Sequence, residues 1–249
     1  MDGLRLALTV GVPGPWSESA KKIFEYKGID YVPVAQYASR LNEDLVAWTG
    51  IRNAPVAVYG EEAPRSNFQD IVALAERLQP EPRLVPQNQA ERWLCYAIST
   101  EICGASGFGW NRRLMMLKRP VAPTRPRPSE KSGIDPNIMQ LAYSGSAAEY
   151  ALAEQSVADI LDALATRLRV QRDAGSDYFV ADALTACDIH WACFSALLEP
   201  LPQEVNPMPD WLRPVYGNLG PVVEPHKHPI LIEHRDRVFE RHLPLPLDY

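Results

Sequence analysis

In the segment YFVADALTACDIHWA, residues 178–192, Thr185 and Asp188 stand three positions apart, just ahead of an apolar helical run. That spacing is a capping box. The Thr185 side chain can accept from the backbone N–H of residue 188, and Asp188 can reach back to the N–H of residue 185. Leu184 precedes the cap and Ile189 occupies the fourth helical position, so the pair also fits a hydrophobic staple. Asp188 is surrounded by Leu184, Ala186, Cys187, Ile189, Trp191 and Ala192. A carboxylate in such surroundings needs hydrogen-bond partners, and a helix N-terminus supplies them. The expected local order is a strand-like Tyr178-Phe179-Val180, a turn at Asp182, and a helix over 185–199.

Around this segment the pattern from residue 89 onward is helical, over about 89–118, 136–172, 208–217 and 228–241. Between the first two lies a stretch with five prolines from Pro120 to Pro136, which excludes a helix interior there and predicts an exposed loop. Residues 79–88, QPEPRLVPQN, read as a linker. Ahead of it, 4–10 reads as a strand, 16–27 as an amphipathic helix ended by Gly28, 30–35 as a strand, about 40–48 as a polar helix, and 55–59 as a strand. A turn at Gly60-Glu61 leads to another short strand, and 66–78 reads as an amphipathic helix. The order is βαβ, then ββα. The first two strands must be parallel with a right-handed crossover, and the last two an antiparallel hairpin. The expected organisation is an α/β thioredoxin-like domain over 1–80, a linker over 81–88 and an all-helical domain over 89–249.

The chain has 249 residues, 46% hydrophobic, with no apolar run long enough to span a membrane and no basic, apolar leader at its start. A net charge of −6 argues against non-specific nucleic-acid binding. A cytoplasmic protein is expected. Cys95, Cys103, Cys187 and Cys193 have no CxxC or zinc spacing and read as small buried hydrophobes. The basic run Arg112, Arg113, Lys118, Arg119, Arg125, Arg127 reads as a solvated face or loop. His226 and His228, with His234 and His242 beyond, raise the question of a metal. No carboxylate or cysteine stands at ligand spacing from them, so none is expected.

Four matches in order resemble the soluble, bacterial-type glutathione transferase superfamily over nearly the whole chain. They are the opening helix GPWSESAKKIFEYKGIDY (14–31), the corner Asn53-Ala54-Pro55-Val56, the interdomain segment AERLQPEPRLVPQNQAER (75–92), and the capping segment above. The resemblance implies glutathione as cosubstrate, bound by the first domain. Ala54 would pair with its cysteine moiety beside a cis-Pro55. Ser66 and Asn67, at a helix start, would hold the γ-glutamyl carboxylate, although the acid usual in the family is absent. Gly14 falls where many bacterial members carry a catalytic Ser or Cys, and there is neither a Tyr in the first 24 residues nor a Cys in the first domain.

Lowering a thiol pKa by about two units takes roughly 2.7 kcal/mol. A helix N-terminus gives about 0.3–1, and up to about 2 in a partly buried site. One hydrogen bond to a charged acceptor adds about 1.5–3 kcal/mol. The helix end plus one donor therefore suffices. Ser17, the nearest hydroxyl, is the expected catalytic donor, with simple helix capping as its alternative role. Trp16 is expected either to cover the sulfur or to pack the helix. Tyr96, Trp110 and Met115 are expected to line a hydrophobic substrate pocket, whereas Trp93 at helical spacing reads as core. The implied activity is attack of glutathione thiolate on a small hydrophobic electrophile, as in detoxification, by a homodimer. The alternative is a non-catalytic glutathione- or ligand-binding protein, or a scaffold, with the same fold.

Overall fold

The structure is a computed structural model that describes residues 3–38, 40–117 and 145–248. Its first part is a three-stranded sheet in the order β2-β1-β3, formed by β1 (Leu4–Thr9), β2 (Tyr31–Gln36) and β3 (Val56–Tyr59). β1 and β2 are parallel, with Thr9 opposite Gln36, and β3 runs antiparallel to β1, with Ala7 opposite Val56. The helices are α1 (Pro15–Tyr26), α2 (Glu43–Thr49) and α3 (Phe68–Leu78). The expected fourth strand is reduced to a single bridge between Ala57 and Arg65.

The second part contains α4 (Gln89–Cys103), α5 (Phe108–Leu117), α6 (Ala147–Asp173), α7 (Ala186–Phe194), the short α8 (Arg213–Gly217) and α9 (Gly220–Val223), and α10 (Pro229–His242). This is a thioredoxin-like domain followed by an all-α domain, as expected. Among the described residues no helix is long and apolar enough to cross a membrane.

Several boundaries differ from the sequence pattern. The helix expected over 89–118 breaks between Cys103 and Phe108. A Cβ on Gly107 would lie 2.7 Å from the Thr100 carbonyl oxygen, and one on Gly104 equally close. The chain folds back against the end of α4 through a space only glycine fits. The helix expected over 208–217 is only α8, starting at Arg213, because Pro209 cannot sit in a helix interior, whereas Pro214 falls in the first turn of α8, where proline is tolerated. Tyr178-Phe179-Val180 forms no strand. Its backbone is satisfied by side chains: Arg167 Nε donates to the Phe179 carbonyl at 2.7 Å, and Gln171 Nε2 to that of Tyr178 at 2.9 Å. Trp93 is not core but 65% exposed. The loop over 120–136, Lys118 and the residues beyond it up to 144, including the start of the helix expected at 136, lie outside the described residues.

The capping segment holds the second part together. Asp188 is fully buried. Its Oδ1 accepts from the Phe179 N–H at 2.8 Å, and its Oδ2 from the Thr185 N–H at 2.8 Å and the Thr185 hydroxyl at 2.7 Å. His234 Nε2 stands 3.0 Å from Oδ1. The four cysteines are buried and unbridged, as expected. The two parts share one hydrophobic core through the linker, whose Leu84 is fully buried and accepts from the Ala186 N–H at 2.8 Å. Lys27, also buried, donates to the carbonyls of Gln79 and Pro82 at 2.7 and 2.8 Å and pairs with Glu76, so the end of α1 fixes the linker.

Candidate functional site

The strand register gathers the expected first-domain residues at one end of the sheet. Thr9 and Gln36 end β1 and β2 side by side. Because β3 is antiparallel and Val56 faces Ala7, Pro55 and Ala54 come next to the same end of β1. The Ala57–Arg65 bridge brings Ser66 and Asn67 toward that end as well. The Ala54–Pro55 bond is cis, as the resemblance implied.

The loop from β1 to α1 is shaped by Gly11, whose φ is +76°, and is pinned from the helical domain. The buried hydroxyl of Tyr216 donates to the Pro13 carbonyl at 3.0 Å. Burial pushes the Tyr216 hydroxyl up to about 12, so it stays a neutral donor. α1 then starts with Gly14 at its cap position and Pro15 at its first turn, and no side chain caps it. Proline brings no N–H there. The helix end is left as a patch of positive potential without a protein anion from its cap.

Ser17 does not face this opening. It is 2% exposed, its Oγ accepts from the Thr9 N–H at 3.1 Å, and it lies 3.2 Å from Thr9 Oγ1. The Thr9 hydroxyl donates to Gln36 Oε1 at 3.0 Å. A hydroxyl has one proton to give. With the Thr9 proton committed to Gln36, the Ser17 proton goes to Thr9. The expected catalytic donor is therefore a buried brace between β1 and α1, and this arrangement leaves it no proton for a sulfur. Sequence reading missed Thr9, which lies beside the bare α-carbon of Gly14. A Cβ at position 14 would meet Thr9 Oγ1 at 3.4 Å.

At the second helix start, Asn67 is the cap of α3, accepting from the Asp70 N–H at 2.8 Å, while its amide donates to the Asp70 carboxylate at 2.6 Å. Asn67 and Ser66 are exposed. The Asp70 charge and the filled cap both oppose a ligand carboxylate there, so Asn67 serves the helix rather than presenting an empty donor set.

On the helical side, Trp16 Nε1 donates to the Cys103 carbonyl at 2.9 Å, and its ring meets Phe194 edge-on at 4.7 Å. Arg113 lies 4.0 Å over the Trp16 ring and 6.0 Å from that of Trp110. Trp16 thus packs between the domains and carries a cation on its outer face. Trp110 belongs to this group. Met115 is half-buried on the same helix, its sulfur 3.6 Å from Arg112 Nη1. Tyr96 stands two turns before Cys103 on α4, half-buried, with Glu76 and Arg92 among its charged neighbours.

The basic run is not a uniform solvated face. Arg112 is fully buried and donates to the carbonyls of Leu197 and Tyr216, each at 2.9 Å. Its neighbour Arg113 instead lies over the Trp16 ring. Their adjacency, about 100° apart on a helix, was the one signal in the sequence that they differ in role.

No family model matches the sequence, and no curated protein does. Solved structures do match in shape. A glutathione S-transferase from Methylobacterium radiotolerans, solved with glutathione sulfonate, is 16% identical with a TM-score of 0.61, covering 99% of this chain and 97% of its own. A glutathione transferase family member from Pseudomonas fluorescens with two glutathione bound is 13% identical with a TM-score of 0.59, covering 98% and 94%. A glutathione S-transferase from Xanthobacter autotrophicus is 16% identical with a TM-score of 0.58, covering 98% and 96%. The fold is that of the glutathione transferases over the full length of the chain.

Proposed function

We propose that this chain binds glutathione at the C-terminal end of β1 and holds its sulfur, as thiolate, at the N-terminus of α1 for attack on a small hydrophobic electrophile. The observation that carries the reading is the open start of α1, capped by no side chain and flanked by the cis Ala54–Pro55 corner. Neighbours of the same fold were solved with glutathione or glutathione sulfonate, which supports it. Backbone N–H groups of the first turn replace Ser17 as the donors. A hydrogen bond from such an N–H to a charged sulfur is worth about 1.5–3 kcal/mol, a range that includes the roughly 2.7 kcal/mol that two pKa units require. The Arg113 guanidinium over Trp16 adds positive potential on the same side. Trp110 and Met115 are the apolar side of the second-substrate region. A second copy of the chain is the expected partner.

Gly14, the committed Ser17 proton and Asp70 at the start of α3 favour a second reading, a non-catalytic glutathione holder. Calorimetric titration with glutathione, with the ultraviolet thiolate band followed against pH, separates the two. The expected result is binding with a thiol pKa well below the free value of about 8.5. Binding with an unshifted thiol supports the holder. No binding at millimolar glutathione overturns both readings.

A further inference from the structure

We infer that Asp162, His226 and His228 form a binding site for one divalent transition-metal ion of the zinc class, on a face that the glutathione reading does not use. The three side chains come from α6, the 3-10 turn at Glu224–His226 and the cap position of α10. His226 Nδ1 and His228 Nε2 lie 2.9 and 2.6 Å from the same oxygen, Asp162 Oδ1, and one ligand atom from each residue falls within 4.8 Å of the others. All three are partly exposed, so water completes a coordination shell without burial of charge.

The backbone sets this up. Lys227 has φ −75° and ψ 77°, and the His228 N–H donates to the His226 carbonyl at 2.9 Å. That is an inverse γ-turn. It brings both imidazoles to one carboxylate, while Lys227 pairs with Glu199 at 2.5 Å. Ligand atoms about 2.0–2.2 Å from a tetrahedral zinc ion stand roughly 3.3 Å from one another. The two contacts to the carboxylate must lengthen by about half an ångström, and the imidazole nitrogens, which lie within 4.8 Å of each other, must settle to a similar spacing, small motions for partly exposed side chains. Two imidazoles and one carboxylate select zinc, copper, nickel or cobalt over calcium or magnesium. The ion would replace the imidazole protons now directed at Asp162 and tie α6 to α10. The sequence concealed the site because the carboxylate stands 64 residues before His226.

Arg169 opposes the ion. Its Nη2 lies 3.2 Å from His228 Nδ1, a contact that puts a positive charge beside the site and favours the tautomer with the proton on Nε2. Removing it therefore tightens metal binding, an effect that a simple Asp–His hydrogen-bonded brace does not predict.

The test is titration of the untagged full chain with cobalt(II), read by its visible absorption, and with zinc by calorimetry. One equivalent should bind. Asp162→Asn, which keeps the shape of the side chain, and the double change His226→Ala, His228→Ala should each weaken binding by at least about tenfold. Arg169→Ala should strengthen it, and glutathione binding should be unchanged in all three. Absence of the cobalt band, or an affinity unaltered by Asp162→Asn, overturns the inference.

Discussion

The starts of α7 and α1 show the same physical device put to opposite uses. At α7 the chain supplies its own anion. Asp188 is fully buried and accepts three hydrogen bonds, from the N–H groups of Phe179 and Thr185 and from the Thr185 hydroxyl. At α1 the cap residue is Gly14, the next is proline, and no side chain closes the end. α1 also carries a buried carboxylate in its first turn, Glu18, but that group turns to Lys21 at 2.9 Å and leaves the helix end open. A helix end that the chain fills with its own anion is part of the fold. One that the chain leaves uncapped can accept a ligand's charge, which is the role proposed for α1.

The sharpest way to break this contrast is to empty the closed end. Asp188→Ala leaves two buried N–H groups and a hydroxyl without their acceptor. It should cost about 3–5 kcal/mol. An unfolding free energy from denaturant titration lowered by less than about 1 kcal/mol would show that the α7 end does not need its anion.

That α7 end was legible in sequence because its parts lie within ten residues of one another, Phe179 to Asp188. The order of strands and helices was legible for the same reason, since periodicity and capping are local. The cis-proline corner and the interdomain segment were legible only through resemblance. What escaped depends on contacts across the chain. Arg112 looked solvated but is held by Leu197 and Tyr216 carbonyls. Trp93 looked like core by its spacing, yet α4 turns it outward. Ser17 stands at the expected helix start, but its hydroxyl is buried against Thr9, eight residues earlier. No pattern read along one helix reports a hydrogen bond to the neighbouring strand.

The Glu18 pair sharpens the comparison through pH. Burial raises the Glu18 carboxyl from 4.5 to about 7, against the opposing pull of Lys21. Between those values the folded chain holds a proton that the unfolded chain has released. Stability from this group is therefore present at low pH and lost as pH rises through about 7. Its size is at most about 3 kcal/mol. Glu18→Gln should flatten that fall, raising the melting temperature at pH 8 more than at pH 5, with Lys21 still paired to Asp248 at 2.8 Å. An equal effect at both pH values would mean that Glu18 ionises normally in the folded state.

A smaller effect tests whether Ser17 belongs to the fold or to the open end. Ser17→Ala removes the acceptor of the Thr9 N–H and should cost about 1 kcal/mol. Under the proposed function the thiolate band of bound glutathione should persist in this variant at unchanged pH. Its loss, with the fold intact by circular dichroism, would return the activating role to Ser17.

The mildest change acts on the open end itself. Gly14 has φ −74° and ψ 110°, a conformation open to any L-residue, and the nearest atom to an added Cβ is Thr9 Oγ1 at 3.4 Å. Gly14→Ser should therefore fold, with a stability change of only a few tenths of a kcal/mol, since glycine and serine caps differ by about that much. The new hydroxyl stands at the helix start, where the proposed sulfur would lie. A hydrogen bond to a charged acceptor contributes about 1.5–3 kcal/mol, so the bound thiol pKa should fall by about one unit or more. If glutathione instead binds more weakly and its thiol pKa rises, the serine oxygen has capped the first-turn N–H groups itself, and the bare α-carbon of Gly14 is what keeps the site open.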